Sequence, residues 1–306
     1  MITPKTFAEA LVLTGPTGSG KSAFAVELAH KLNAEIISMD SMALYRGMDI
    51  GTAKPTREER QGIPHHLMDV LDPWESSTVA WWLEEAARLC RDISERGKTV
   101  FIVGGTPFYL KAMMAGLFDG PPADEAIRDR LTKLAEQKGK ESLHRQLTEV
   151  DPPTAKRLHP NDVRRVIRAL EVYELTGKPM SDWQQQWQHT SPSDSPDCVW
   201  LDMPREHLYE RINRRVEEMF QCGLIHEVQR LLELPKQLSK EARQALGYKE
   251  VIRHLRGEMT LADTIAEVQT RTRQFAKRQI TWFRHLQGCQ PLSRELTMAH
   301  WQGKMK

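Results

Sequence analysis

Short continuous runs of apolar residues alternate along this chain with longer stretches in which apolar positions recur every three or four residues. Leu11-Val12-Leu13, Glu35 to Met39, Thr99 to Val103 and Cys198 to Asp202 have the length and continuity of strands buried in a sheet. Ala23 to Leu32 carries Phe24, Leu28 and Leu32, with Val26 and Ala29, at helical spacing. Val79 to Arg96, Phe108 to Ala115 and Leu208 to Leu234 follow the same period. Strands alternating with helices predict an α/β fold, a parallel sheet covered on both faces. The stretch from about Pro121 to Gln188 breaks the alternation: it is polar, helical in pattern and free of strand-like runs. Gly120-Pro121-Pro122 precedes it and the turn-rich Thr190 to Pro196 follows it, both with the composition of linkers. The pattern predicts an all-helical insertion over 119–197, splitting a core formed by 1–118 and 198–306. The C-terminal third returns to helices, with Leu261, Ile265, Val268, Phe275 and Phe283 along one long helix.

The candidate chemistry sits directly after the expected strands, where open parallel sheets bind their ligands. Gly15-Pro16-Thr17-Gly18-Ser19-Gly20-Lys21-Ser22 matches G-x-x-x-x-G-K-[ST] in full, between a strand and a helix. Its glycines let backbone N–H groups turn toward phosphate oxygens, Lys21 adds a cation, and the Ser22 hydroxyl suits a Mg²⁺ ion shared with the phosphates. The core is therefore expected to be P-loop NTPase-like, with a di- or triphosphate as ligand. Asp40 ends the second strand, and an acid there either helps hold the metal or takes a proton from a nucleophile; the alternative is a turn or helix cap. The strand ending at Val103 is followed by Gly104-Gly105-Thr106, without the metal-binding acid of a motor ATPase. That favours a transferase whose phosphates belong to a donor. Thr106 offers a hydroxyl to the cleft or caps the helix starting at Pro107. Arg211, Arg214 and Arg215 share one helix, and any of them could stabilise a departing phosphate; spacing does not choose among them. His65-His66 lacks metal-ligand spacing and suits a loop or cap.

Composition narrows the classes further. The 306 residues are 40% hydrophobic and 27% charged, as in ordinary globular chains. No apolar run approaches the ~20 residues of a membrane span, and the N-terminus has no signal-peptide pattern, so a cytoplasmic protein without membrane partners is expected. The four cysteines (Cys90, Cys198, Cys222, Cys289) form no C-x-x-C pair and suggest neither zinc nor disulfides. A net charge of +2 says little, but Lys240 to Arg284 holds ten Lys/Arg against five Asp/Glu. Within it Lys277 to Arg284 mixes cations with Trp282 and Phe283, a combination suited to phosphate contact and base stacking as well as to a solvated helix face.

Several segments then stand out together. Ser38 to Pro55, Gly62-Ile63-Pro64-His65-His66-Leu67-Met68-Asp69-Val70, Val103 to Thr106, Arg165 to Val172 and Lys277 to Arg284 closely resemble bacterial tRNA dimethylallyltransferases, in the expected order from about Leu11 to His285. The resemblance implies transfer of a dimethylallyl group from dimethylallyl diphosphate to N6 of adenine 37, in the anticodon loop of tRNAs reading codons that begin with U. It implies that the loop Gly15 to Ser22 holds the donor diphosphate, that Ser22 meets Mg²⁺, and that Asp40 is the general base. Thr106 would lie near the acceptor amine and Arg215 would neutralise the leaving group. It also implies tRNA contacts at Asp40, Ser41, Met42 and Ala43; at Thr106 and Arg128; at Arg164, Arg165, Val166, Ile167 and Arg168; at Gln244, Ala245, Leu246, Gly247, Tyr248 and Lys249; and at Lys277, Arg278, Gln279, Ile280, Thr281, Trp282, Phe283 and Arg284. Met42 and Arg164 stand where many relatives have Gln. The chain is expected to act as a monomer. A P-loop small-molecule kinase, a transferase acting on free adenine nucleotides and a non-catalytic RNA binder remain the alternatives; intact Lys21, Ser22 and Asp40 speak against the last.

Overall fold

The computed structural model describes residues 3–117, 120–184 and 195–304. The chain divides into two compact units, one formed by Met1–Met114 with Ser191–Lys306 and the other by Ala115–Thr190. The expected boundaries at 118 and 119, and the linker residues Thr190 to Asp194, lie outside the described residues.

The first unit is built on six parallel strands: β1 Leu11–Thr14, β2 Ala34–Ser38, β3 His65–His66, β4 Thr99–Val103, β5 Asp197–Leu201 and β6 Cys289–Leu292. Their order across the sheet is β3-β2-β4-β1-β5-β6. β1 lies centrally, with Leu13 beside Val103 of β4 and Val199 of β5. All its residues are buried, which explains an unbroken apolar run rather than an alternating one. β3 and β6 were not expected. His65-His66, read as loop or cap, pairs with Ile36 and Ile37, because the neighbouring β2 supplies the ladder that two residues cannot specify alone. Cys198 and Cys289 are register partners on β5 and β6 and form a disulfide, correcting the expectation that none pairs. Ninety-one residues separate them in sequence, so only the sheet register brings them together.

Helix α1 Lys21–Leu32 starts at the end of the phosphate-loop motif and buries Phe24, Leu28 and Leu32 against the sheet. Helix α2 Val79–Glu95 is capped by the Thr78 hydroxyl and buries Trp82, whose indole N–H donates to the Ser38 carbonyl at the end of β2 (3.0 Å). Helix α3 Pro107–Ala115 follows β4.

The second unit is all-helical, as expected: α4 Glu125–Lys138, α5 Lys140–Val150, α6 Pro152–Arg157, α7 Val163–Thr176 and α8 Met180–Gln184. Leu131, Leu143, Leu147, Val166 and Leu170 form its own core.

The first unit then resumes with α9 Arg205–Gln221, α10 Leu224–Leu232, α11 Lys240–Gln244, α12 Tyr248–Leu255, α13 Leu261–Arg284 and α14 Arg294–Trp301. The single helix expected from Leu208 to Leu234 is two, broken at Gly223, whose φ of 98° no continuous α-helix accepts. No helix among the described residues is long and apolar enough to cross a membrane.

Candidate active site

β1 delivers the loop Gly15–Ser22 to the carboxyl edge of the sheet. Gly18 has φ +86°, and a Cβ there would meet Ile212 of α9 at 2.8 Å, so only glycine lets the loop close against that helix. The amides of Lys21, Ser22 and Ala23 open the first turn of α1 and have no acceptor within the helix. Adjacent strand ends are tied together beside them. The Met39 N–H donates to Val103 O (2.8 Å), the Thr106 N–H to Met39 O (3.3 Å), and the Thr14 hydroxyl to Gly104 O (2.7 Å). Gly104 is required at this junction, because a Cβ would lie 2.1 Å from the Met39 carbonyl oxygen.

These ties bring Thr17, Lys21, Ser22, Asp40, Thr106 and Arg215 to the wall of one cavity of about 500 Å³. One Asp40 oxygen accepts from the amides of Met42 (2.9 Å) and Ala43 (3.4 Å), as a turn former does. The other makes no hydrogen bond to a described residue, so turn and cleft roles coexist in one side chain. The Thr106 hydroxyl accepts from the Ser41 N–H (3.1 Å) instead of capping α3. Lys21 has no hydrogen-bond partner among the described residues; burial pulls its pKa down to about 8, against the opposing pull of Asp40 and helped by Arg215. Burial also lowers the pKa of Arg215, again opposed by Asp40. The Arg215 Nε and the Ser19 hydroxyl are buried without partners among the described residues. Unmatched cationic and donor groups of this kind suit an anion.

The structure separates the three arginines of α9. Arg215 lines the cavity and donates to the Thr17 hydroxyl. Arg211 donates to the Gly18 carbonyl (2.8 Å) and so braces the loop. Arg214 is exposed and lies 3.7 Å from Glu218. Ser22 opens on the cavity with its hydroxyl free of any described partner, and the described residues hold no cluster of three His, Cys, Asp or Glu side chains able to hold a metal ion. That donor set fits a hard cation that draws most of its oxygens from a phosphate chain and water. It does not fit a structural zinc centre.

A family model described as IPP transferase matches residues 43–286, and one described as isopentenyl transferase matches residues 8–70. The chain belongs to the IPP transferase family. It is 47% identical over 275 residues to a tRNA dimethylallyltransferase of Carboxydothermus hydrogenoformans, covering 90% of this chain and 88% of that protein. It is 46% identical to the corresponding protein of Geobacter metallireducens, covering 90% and 89%. Among solved structures, a full-length tRNA isopentenylpyrophosphate transferase from Bacillus halodurans superposes with a TM-score of 0.70 at 40% identity, over 97% of this chain and 96% of that one. A eukaryotic dimethylallyltransferase acting on tRNA superposes with a TM-score of 0.73 at 34% identity, over 90% and 69%.

In this member of the IPP transferase family the expected RNA-contacting segments sort by exposure. Arg164, Arg165, Gln244, Lys249, Lys277, Arg278, Thr281 and Arg284 are exposed, and Arg278 and Lys249 also line the cavity. Ser41, Met42, Leu246, Ile280 and Trp282 are half-buried, with Lys111 Nζ 5.8 Å from the centre of the Trp282 ring. Arg128 and Arg168 both bond the buried Glu171 carboxylate, at 2.9 Å and 2.6 Å. Val166, Ile167 and Phe283 are core side chains, so their face of each helix is spent on packing. Ala43, Ala245, Gly247, Tyr248 and Gln279 are buried but border the cavity.

Two groups had escaped the sequence reading, and a third had been read only as loop or cap. Glu227, 2% exposed, accepts from the amides of Asp49, Ile50 and Gly51 and from the Tyr248 hydroxyl (2.6 Å), joining two walls of the cavity. Lys54 is buried and donates to Tyr45 O, Asp49 and Asp69. His65 borders the cavity, its pKa lowered by burial. Glu227 did carry a signal: it falls in the buried stripe Leu224, Val228, Leu231 of α10.

Proposed function

We propose that the chain transfers a dimethylallyl group from dimethylallyl diphosphate to N6 of adenine 37 in the anticodon loop of tRNAs reading codons that begin with U. The observation that carries this reading is the shared cavity, in which an anion cradle with unmatched cations faces a carboxylate with one oxygen to spare. Family membership supports reading the cradle as a site for a prenyl diphosphate rather than for ATP.

The chemistry follows from what these side chains can do. The N6 lone pair of adenine forms a bond to C1 of the allyl group as the C1–O bond breaks, and the electron pair leaves with diphosphate. Lys21, Arg215 and the first-turn amides of α1 hold that charge; in many enzymes preorganised donors of this kind supply most of the rate enhancement. Asp40 accepts the proton that N6 must lose. Thr106, fixed by its bond to the Ser41 amide, stands beside Asp40 to orient the amine. Ser22 would hold a Mg²⁺ ion beside the donor phosphates, where it would supply further charge neutralisation. The base has to leave the loop stack, at about a few kcal/mol. Exposed cations of α13 (Lys277, Arg278, Arg284) and of α7 (Arg164, Arg165) offset this by binding RNA phosphates. We take the protein to act as a monomer.

The test is mass spectrometry of tRNA nucleosides after incubation with dimethylallyl diphosphate and Mg²⁺. N6-(dimethylallyl)adenosine at position 37 is the expected product. Modification of free AMP but not of tRNA, or phosphoryl transfer from ATP without prenyl transfer, overturns the reading.

A further inference from the structure

We propose that Gln279 is a positioning residue that holds the donor-phosphate loop in register with the Gly104–Thr106 loop, and is not a contact for RNA. It sits in the middle of the buried stripe of α13, between Thr272, Ala276 and Phe283. A primary amide in such a stripe brings a donor and an acceptor into the core, and both need partners. Two loops supply them. Gln279 Oε1 accepts from the Thr17 N–H (2.8 Å), and Nε2 donates to the Gly105 carbonyl (2.6 Å). The side chain is 2% exposed. With each polar atom already bonded to a loop and almost no surface exposed, the side chain offers little to an RNA group.

The two loops leave different strands, and one amide spans them. One carries Lys21 and Ser22; the other carries Thr106. Gly105 permits the approach, since a Cβ there would meet Nε2 at 2.9 Å and Lys21 Nζ at 3.3 Å. Thr17 is held twice, by its N–H to Gln279 and by its hydroxyl to Arg215. The shape of the cradle is therefore set by side chains from α13 and α9 as much as by its own glycines. This inference rests on the reading of the loop as the donor-diphosphate site.

The test compares Gln279→Met, similar in length and unable to make either bond, with Gln279→Asn, which keeps the amide on a shorter arm. Inorganic diphosphate with Mg²⁺ is the probe of the cradle, and tRNA binding is followed separately. Gln279→Met should weaken diphosphate binding and raise the KM for donor about tenfold, the loss of roughly one or two buried hydrogen bonds. Its tRNA affinity should stay within about twofold, and Gln279→Asn should fall between it and the parent. Lys277→Ala, an exposed cation on the same helix, should show the opposite split. A second readout needs no ligand: exchange of the Thr17 amide proton in the free protein should accelerate in both Gln279 variants. Unchanged Thr17 exchange overturns the proposal. So does a folded Gln279→Met or Gln279→Asn protein that keeps diphosphate affinity but loses tRNA affinity, or one that loses both equally. Absence of prenyl transfer by the parent protein sinks the functional reading instead, and Thr17 exchange still decides the role of Gln279.

Discussion

Two of the lysines that border the cavity, Lys21 and Lys54, are treated in opposite ways by the protein. Lys54 is withdrawn from solvent and fully matched, donating to the Tyr45 carbonyl and to Asp49 and Asp69 at 2.6–2.7 Å. Lys21 stands on the phosphate loop with no hydrogen-bond partner among the described residues, its pKa pulled down to about 8. Arg215 beside it also keeps a buried Nε unmatched. A buried charge that is already satisfied stabilises one arrangement of the loop around it. A charge left short of partners makes the empty site less comfortable and the anion-filled site better. The contrast distinguishes architecture from chemistry without any sequence motif.

Substitutions on the cavity wall put this contrast at risk, the most damaging first. Asp40→Asn keeps the turn to Met42 and Ala43 but removes the base, so turnover should fall by about 10²–10⁴ with tRNA affinity unchanged. Loss of tRNA binding with normal chemistry would make Asp40 a recognition residue. Next, Lys21→Met should reduce turnover by about 10²–10³ through loss of leaving-group stabilisation, with thermal stability held or raised. Lys54→Met should do the reverse in order of effect, losing about 1.5–3 kcal/mol of stability from bonds to charged groups, read by denaturant unfolding. If the two variants behave alike, the distinction between matched and unmatched lysines fails.

A pH series probes Lys21 more finely. Lys21 has a folded pKa of about 8 against 10.5 in the unfolded chain. Below pH 8 it is charged in both states, and burial of that charge opposes folding. The opposition fades as pH rises from about 8 toward 10.5, so this group adds stability to the ligand-free protein in that window. Anion binding has the opposite sign: diphosphate affinity should decline as pH rises through about 8, and the decline should vanish in Lys21→Met. Calorimetric titration of diphosphate across pH 7–9.5 measures it. The smallest effect concerns the exposed helix. Lys277→Ala should lower the slope of log affinity for tRNA against log salt by about 0.7–0.9. An unchanged slope would make Lys277 a solvated surface charge.

Much of the site was legible because its parts are local. Gly15 to Ser22 is a contiguous loop between a strand and a helix, and Asp40 and Gly104–Thr106 each follow an apolar run long enough to read. The helical insertion was equally visible, since α4, α5 and α7 carry their own periodic cores. What escaped was non-local. β3 has two residues and β6 four, one of them Pro291, and neither length sustains a period of two. The pairing of Cys198 with Cys289 depends on strand register. Glu227 and Gln279 each interrupt an apolar helical stripe; apart from Tyr248, their partners lie well over a hundred residues away in sequence, so the stripe hints at burial and does not tell which loops are anchored.

Local sequence dictated the alternation of four strands with helices, the phosphate loop, the acid across from it and the basic helix α13. Those follow from periodicity and from residue types at fixed spacing. Only the assembled fold settled which arginine of α9 enters the cleft, which lysine is matched, and which members of the basic helix face inward. Such choices depend on helix phase and strand register acting across the whole sheet, where one residue's rotation about a helix moves a side chain from water to the core.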